Sequence, residues 1–162
     1  MNRFSFLSII ALWLGLMIAV AGVVHAEERF TDNGDGTVTD HTLGVMWAKT
    51  DNQGDISWQQ AQQWIQYTFP FSIPTTYDNW RMPTLKELSS LYMDSHETGG
   101  YETACGQWVQ VPSQIQLSCG WVWSADTSSI QAHIFNFHRG THYTDRKVHY
   151  KAYRALAVRD LR

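Results

Sequence analysis

The sequence predicts an α+β domain, and three observations carry that expectation. Turn formers separate short β-favouring stretches, two capping boxes each open an apolar stripe of helical period, and long irregular segments lie between them. No internal repeat or low-complexity tract occurs, which excludes a repeat array.

From Phe30 the chain reads Phe-Thr-Asp-Asn-Gly-Asp-Gly-Thr-Val-Thr-Asp. Asn33, Gly34, Asp35 and Gly36 sit between β-favouring residues, the pattern of a hairpin. An EF-hand register is the rival reading, but it puts Thr31 and Thr42 where calcium needs Asp and a bidentate Glu, so the loop lacks the charge to hold the ion. A second strand is expected over residues 44–48, with Val45 and Trp47 on one side and Met46 on the other. After a turn through residues 51–55, Ser57 and Gln60 have capping-box spacing, and Trp58, Ala61, Trp64 and Ile65 share one helical face. That face reads as core, with a cofactor-stacking surface as the minority alternative.

Residues 69–78 contain Pro70 and Pro74 without a period and read as a loop. Thr84 and Glu87 form a second capping box behind Pro83, and Leu85, Leu88, Leu91 and Tyr92 supply the apolar face of the second helix. Residues 94–119 read as irregular and lead into Gly120-Trp121-Val122-Trp123-Ser124. Over residues 132–138 the alternation places His133, Phe135 and Phe137 on one face and Ile134, Asn136 and His138 on the other, with Arg139-Gly140 as the turn. Residues 153–158 read as one short closing strand.

At the amino terminus, Arg3 precedes an uncharged apolar run that ends in Val24-His25-Ala26. That is the order of a signal peptide, so residues 1–26 are expected to be a leader and residues 27–162 a single extracytoplasmic domain, periplasmic or secreted. The run of roughly 20 residues is also long enough to stay as an uncleaved anchor, the one route by which a membrane would be involved. Export makes an oxidising compartment the expected setting, so the only two cysteines, Cys105 and Cys119, are expected to pair. Closing that loop is worth about 3 kcal/mol in the chain-entropy model. A free-thiol or metal role is the lesser alternative, since the spacing is neither C-x-x-C nor a zinc pattern.

The formal net charge of −3 conceals a division. Residues 27–137 carry four Lys/Arg against thirteen Asp/Glu, and residues 138–162 carry seven against two. His138, Arg139, His142, Arg146, Lys147, His149 and Lys151 cluster there, interleaved with Tyr143 and Tyr150. Guanidinium and ammonium groups suit sulfate or phosphate oxygens, so these residues with Tyr143 are the candidate site for an anionic ligand. The competing reading is a solvated face that neutralises the acidic half. Nucleic acid fits the same chemistry but is a poor partner for an exported protein. Zinc on His138, His142 and His149 would need them gathered in space, which their spacing does not show. No nucleophile elbow and no H-E-x-x-H motif occurs, so no catalytic residue, metal or cofactor is assigned, and a non-enzymatic role is favoured.

Taken together, Gly-Asp-Gly-Thr-Val-Thr-Asp, Gly44-Val45-Met46-Trp47, Trp58 with Ala61, Trp80-Arg81-Met82-Pro83-Thr84 before Lys86-Glu87-Leu88, Trp123-Ser124, and Arg154 with Val158-Arg159 resemble the Lcl C-terminal domain family. The family is named for the end domain of a bacterial collagen-like adhesin, and many members are known only as a domain of unknown function. The resemblance covers nearly all of residues 29–160. It implies a C-type-lectin-like fold, close to that of formylglycine-generating enzymes, with two main helices packed on small twisted antiparallel sheets and long loops. It also implies an extracytoplasmic binding role, since the adhesin domain is associated with sulfated glycans. The calcium-lectin tripeptides Glu-Pro-Asn, Gln-Pro-Asp and Trp-Asn-Asp do not occur. No Gly-x-y repeat precedes the domain, and Ile65 stands where many members have Cys. Trp80, Arg81, Pro83, Thr84, Glu87, Trp123, Arg154 and Arg159 are the motif residues given structural roles, with Arg81 and Arg154 expected to be paired if buried. The alternatives to a binding module are an enzyme or accessory on the formylglycine-generating scaffold and a structural envelope protein with a protein partner.

Overall fold

The computed structural model describes residues 28–93 and 100–162, so the expected leader lies outside the described residues. Mostly strands and two short helices make up the fold, which is α+β. In chain order the elements are β1 (Phe30–Asp32), β2 (Thr37–Asp40), β3 (Val45–Ala48), α1 (Trp58–Tyr67), a 3-10 turn (Phe69–Phe71) and α2 (Leu85–Leu91). They continue with β4 (Tyr101–Glu102), β5 (Trp108–Val109), β6 (Trp121–Ser128), β7 (Gln131–Asn136), β8 (Thr141–Arg146), β9 (Tyr153–Arg154) and β10 (Val158–Asp160). Two four-stranded sheets, ordered β1-β2-β3-β10 and β8-β7-β6-β9, are joined by the small β4-β5 pair.

The first hairpin forms where the turn residues place it. Gly34 and Gly36 adopt φ of 75° and 87°, and a side chain at Gly36 would also collide with Ile73, whose Cγ2 would lie 2.9 Å from the added carbon. The carboxylates of this turn are engaged by protein groups: Asp32 with Gly34 N and Lys49, Asp35 with Thr37 and the Tyr77 hydroxyl. β3 forms where expected, between β2 and β10, and all four of its residues are buried.

Both helices start at their capping boxes. Ser57 accepts from Gln60 N while Gln60 returns to the Ser57 backbone, and Thr84 and Glu87 do the same for α2. Ala61 and Ile65 of α1 are fully buried; Trp58 and Trp64 are half-buried against the same core. Leu88 and Leu91 of α2 pack on β6 and β7.

The Trp80–Thr84 block is a junction. Arg81 exchanges both backbone hydrogen bonds with Val158 (2.8 and 3.0 Å), tying the block to β10. Pro83 O accepts from Ala125 N at 2.7 Å, where β6 bulges away from β7, and Thr84 then caps α2. The Arg81 guanidinium grips Glu87 through two nitrogens (2.8 and 2.9 Å) and reaches Asp160 (2.8 Å). Burial alone would raise the Glu87 carboxyl, but Arg81 and the Thr84 backbone hold it below its usual value. Trp80 is buried and its indole donates to Tyr77 O. Trp123, fully buried, donates to Ile56 O. Arg159 donates to Asp78 O and lies over the Tyr77 ring.

β7 is internal to its sheet, and Ala132, Ile134, Phe135, Asn136 and Phe137 are all buried. Three expectations need correction. Residues 153–158 are two strands in different sheets, separated by the buried Ala155-Leu156-Ala157. The sheets are not wholly antiparallel, since β9 runs parallel to β6. The described part of residues 94–119 also carries the two-residue strands β4 and β5.

Two substitutions test these ties. Arg81→Lys keeps the charge but loses the paired bond to Glu87, and should cost about 1 kcal/mol for this partly exposed site, read as a lowered Tm. Arg154, 6% exposed, bonds Ser118 Oγ (2.7 Å) and Asp55 (2.9 Å); Arg154→Met should cost about 3 kcal/mol in urea unfolding. An unchanged midpoint in either variant would contradict the assigned role.

Candidate functional site

The basic segment predicted to act together is divided by the backbone. Its middle, expected to lie in a loop, is the edge strand β8, paired with β7 from Thr141↔Asn136 to Arg146↔Gln131. Side chains along a strand alternate, so His142, Thr144 and Arg146 point to one face and Tyr143 and Asp145 to the other. His142 lies beside His133, ring centres 5.8 Å apart.

Asp145, within the basic run, draws in three side chains from the segment on its C-terminal side. Its carboxylate accepts from His149 Nδ1, from Lys151 Nζ (2.7 Å) and from the Tyr153 hydroxyl (2.6 Å). Burial pushes this carboxyl up, but those donors and the Arg146 backbone outweigh it and hold it well below the ordinary carboxylate range. Burial and Asp145 in turn push the Tyr153 hydroxyl up. Lys147 donates to Ser129 O and lies 4.8 Å from the centre of the Trp58 ring. Lys147, His149 and Lys151 are therefore engaged within the fold, and Arg146 sits at the far end of β8.

The remaining four predicted residues come together. His138, Arg139, His142 and Tyr143 line an open groove of ≈ 640 Å³, with Trp121 and Gln107. Gly140, at φ 66°, lets the β7–β8 turn pass directly over Tyr92 of α2, where an added Cβ would lie 2.5 Å from the ring. His138 donates from Nδ1 to Trp108 O at 2.7 Å, which leaves Nε2 as its outward atom. Asn136 Oδ1 accepts from His138 N, and Gln107 Oε1 accepts from Gly120 N at 3.0 Å. Arg139 is exposed, and among the described residues its guanidinium has no hydrogen-bond or ion-pair partner. Trp121 is half-buried and Tyr143 is 38% exposed, so the groove offers both rings and donors.

Sequence reasoning missed Gln107, Asn136 and Trp121. The first reaches the site only through the Cys105–Cys119 closure, whose Cα atoms are 5.3 Å apart. A cleft of similar size, ≈ 650 Å³, lies beside Tyr101 and Ser118, but its one charged lining residue is Glu102, which suits no anion. Among the described residues no group of three or more His, Cys, Asp or Glu is arranged to hold a metal. Both cysteines are in the disulfide.

Fold and groove together define a small, disulfide-closed α+β module with a cationic, aromatic-lined sheet end. Residues 36–159 match the model of the Lcl C-terminal domain, and the chain belongs to that family. A comparison with curated proteins finds no match. No helix among the described residues is long and apolar enough to cross a membrane.

Asp145→Ala removes the acceptor of the buried Tyr153 hydroxyl and should cost about 1–3 kcal/mol near neutral pH. Because the folded carboxyl titrates below its unfolded value, its stabilisation is complete above the ordinary carboxylate range and fades as pH falls through the lower folded value. Urea midpoints of wild type and variant should thus differ constantly between about pH 5 and 7 and converge below about pH 3. A gap that widens on acidification would refute this.

Proposed function

We propose that this domain is an exported, non-enzymatic binding module of C-type-lectin-like architecture, and that its ligand is a sulfated or otherwise anionic glycan held in the β7–β8 groove. The observation that carries the reading is the exposed Arg139, without a side-chain partner among the described residues, beside Trp121, Tyr143, His138 and His142. A guanidinium binds sulfate oxygens through two parallel hydrogen bonds. Aromatic rings pack against the apolar face of a sugar, and the outward Nε2 of His138 and the Gln107 amide suit its hydroxyls. The disulfide suits an oxidising, extracytoplasmic setting.

This version is narrower than a basic tail acting as a whole, and retention on heparin-like beads separates the two. Arg139→Ser and His142→Ser should elute at clearly lower salt than wild type, whereas Lys147→Ser and Lys151→Ser should elute close to it, since exposed charge contacts weaken on screening. Equal loss from all four variants would return the site to diffuse charge, and no loss from any would discard the glycan reading.

A further inference from the structure

Two large aromatic side chains stand exposed on another part of the surface. Tyr67 and Phe71, at the end of α1 and in the 3-10 turn after it, are 70% and 86% exposed. With Tyr77, Asp78, Asn79 and Trp80 they line a groove of ≈ 590 Å³. The aromatic layer behind it is fixed: Phe69 meets Trp80 edge-on at 4.7 Å and Trp64 at 5.4 Å.

The rim is held as firmly. Arg159 binds Asp78 O at 2.9 Å and the Trp80 indole binds Tyr77 O at 3.1 Å, bracketing Asn79, which sits at φ 60°. The Asp78 side chain is 84% exposed and has only a long 3.9 Å approach to Arg159. Asn79 is exposed, and its carboxamide has no hydrogen bond among the described residues.

We infer that this second groove is a carbohydrate site for an uncharged pyranose, distinct from the anion groove and independent of it. Aromatic faces accept the C–H face of a sugar ring, and a carboxylate next to a carboxamide can accept from and donate to neighbouring hydroxyls. Asp78 repels sulfate and carboxylate, so this groove disfavours the anions the first would take. An apolar protein partner would bury Asp78 with only the long 3.9 Å approach of Arg159 to offset its charge. A second copy across a two-fold axis through the patch would bring two Asp78 carboxylates together. A hydroxyl-rich ligand meets neither obstacle.

Titrating the nitrogen-labelled protein with cellohexaose, maltohexaose or chitohexaose, with amide and indole shifts as the readout, tests this. At least one sugar should give saturable shifts confined to residues 66–80, with residues 138–143 unmoved. Phe71→Ala should weaken that binding about tenfold, as expected for loss of a stacked ring. Asn79→Gly, which keeps the left-handed backbone and removes only the amide, should weaken it similarly. Absence of saturable shifts with all three sugars, or a Phe71→Ala variant that binds as wild type, overturns the inference. A Phe71-dependent dimer in sedimentation without sugar response overturns it too, and assigns the patch to self-association.

Discussion

The fold depends on a buried guanidinium. Arg154 is 6% exposed, and burying its charge demands hydrogen-bond partners. Two of those partners come from distant parts of the chain, Ser118 Oγ next to the disulfide and Asp55 before α1, and the third is the neighbouring Tyr153 O. Ser118 in turn donates to the buried Asp51 through both its backbone N and its hydroxyl. Burial raises the Asp51 carboxyl, against the pull of Ser118, Gln53 and Arg154. Asn52 closes the same knot by exchanging bonds with Ala155. One short segment is thereby committed to both sheets, with β9 beside β6 and β10 beside β3. The parallel pairing of β9 is a consequence, because the strand enters as a crossing between sheets and not as the return arm of a hairpin.

The same distinction between near and distant partners decides which parts of the fold were legible in the sequence. Ser57 with Gln60 and Thr84 with Glu87 act across three residues, so their chemistry is visible in the chain itself, and both helices begin where those pairs stand. The β1–β2 turn is similarly local. A strand's packing partners are not local. Residues 153–158 look like one apolar strand because each half is buried, but in different sheets, and nothing nearby encodes the break. β8 was hidden for the opposite reason: Thr-His-Tyr-Thr-Asp-Arg has little apolar content because it is an edge, although Thr141, Tyr143 and Thr144 after a Gly turn are themselves a β signal.

The candidate site shows the same limit in electrostatic form. Adjacent charges in a sequence count as a patch only if the backbone turns them the same way, and a strand turns successive residues to opposite faces. Asp145, one of only two carboxylates in residues 138–162, draws His149 and Lys151 to itself and leaves them little to offer a ligand. The charges adjacent in sequence are therefore divided in space, and the residues nearest the β-turn are the ones that line one groove. The polar and aromatic members came from residues whose sequence role looked structural, Trp121 above all, because a half-buried ring serves the core and the groove at once.

Groove and fold are consequently not separable. The three groups that shape the groove each lean on a different support: Gly140 on Tyr92 of α2, His138 on the Trp108 carbonyl of β5, and Gln107 on Gly120 beside Cys119. Trp108 and the supported Gln107 belong to the loop that the disulfide closes, a loop whose one strand, β5, is two residues long. Such a loop has too few ladder bonds to hold a fixed shape unaided, so the covalent closure does for the groove what long strands do elsewhere in the molecule. Arg139 remains the exposed element against these fixed neighbours. Under the proposed function, a long cation without a partner among the described residues, set over a fixed floor, would meet sulfates at varied positions along a polymer while the rings and amides keep the sugar in register.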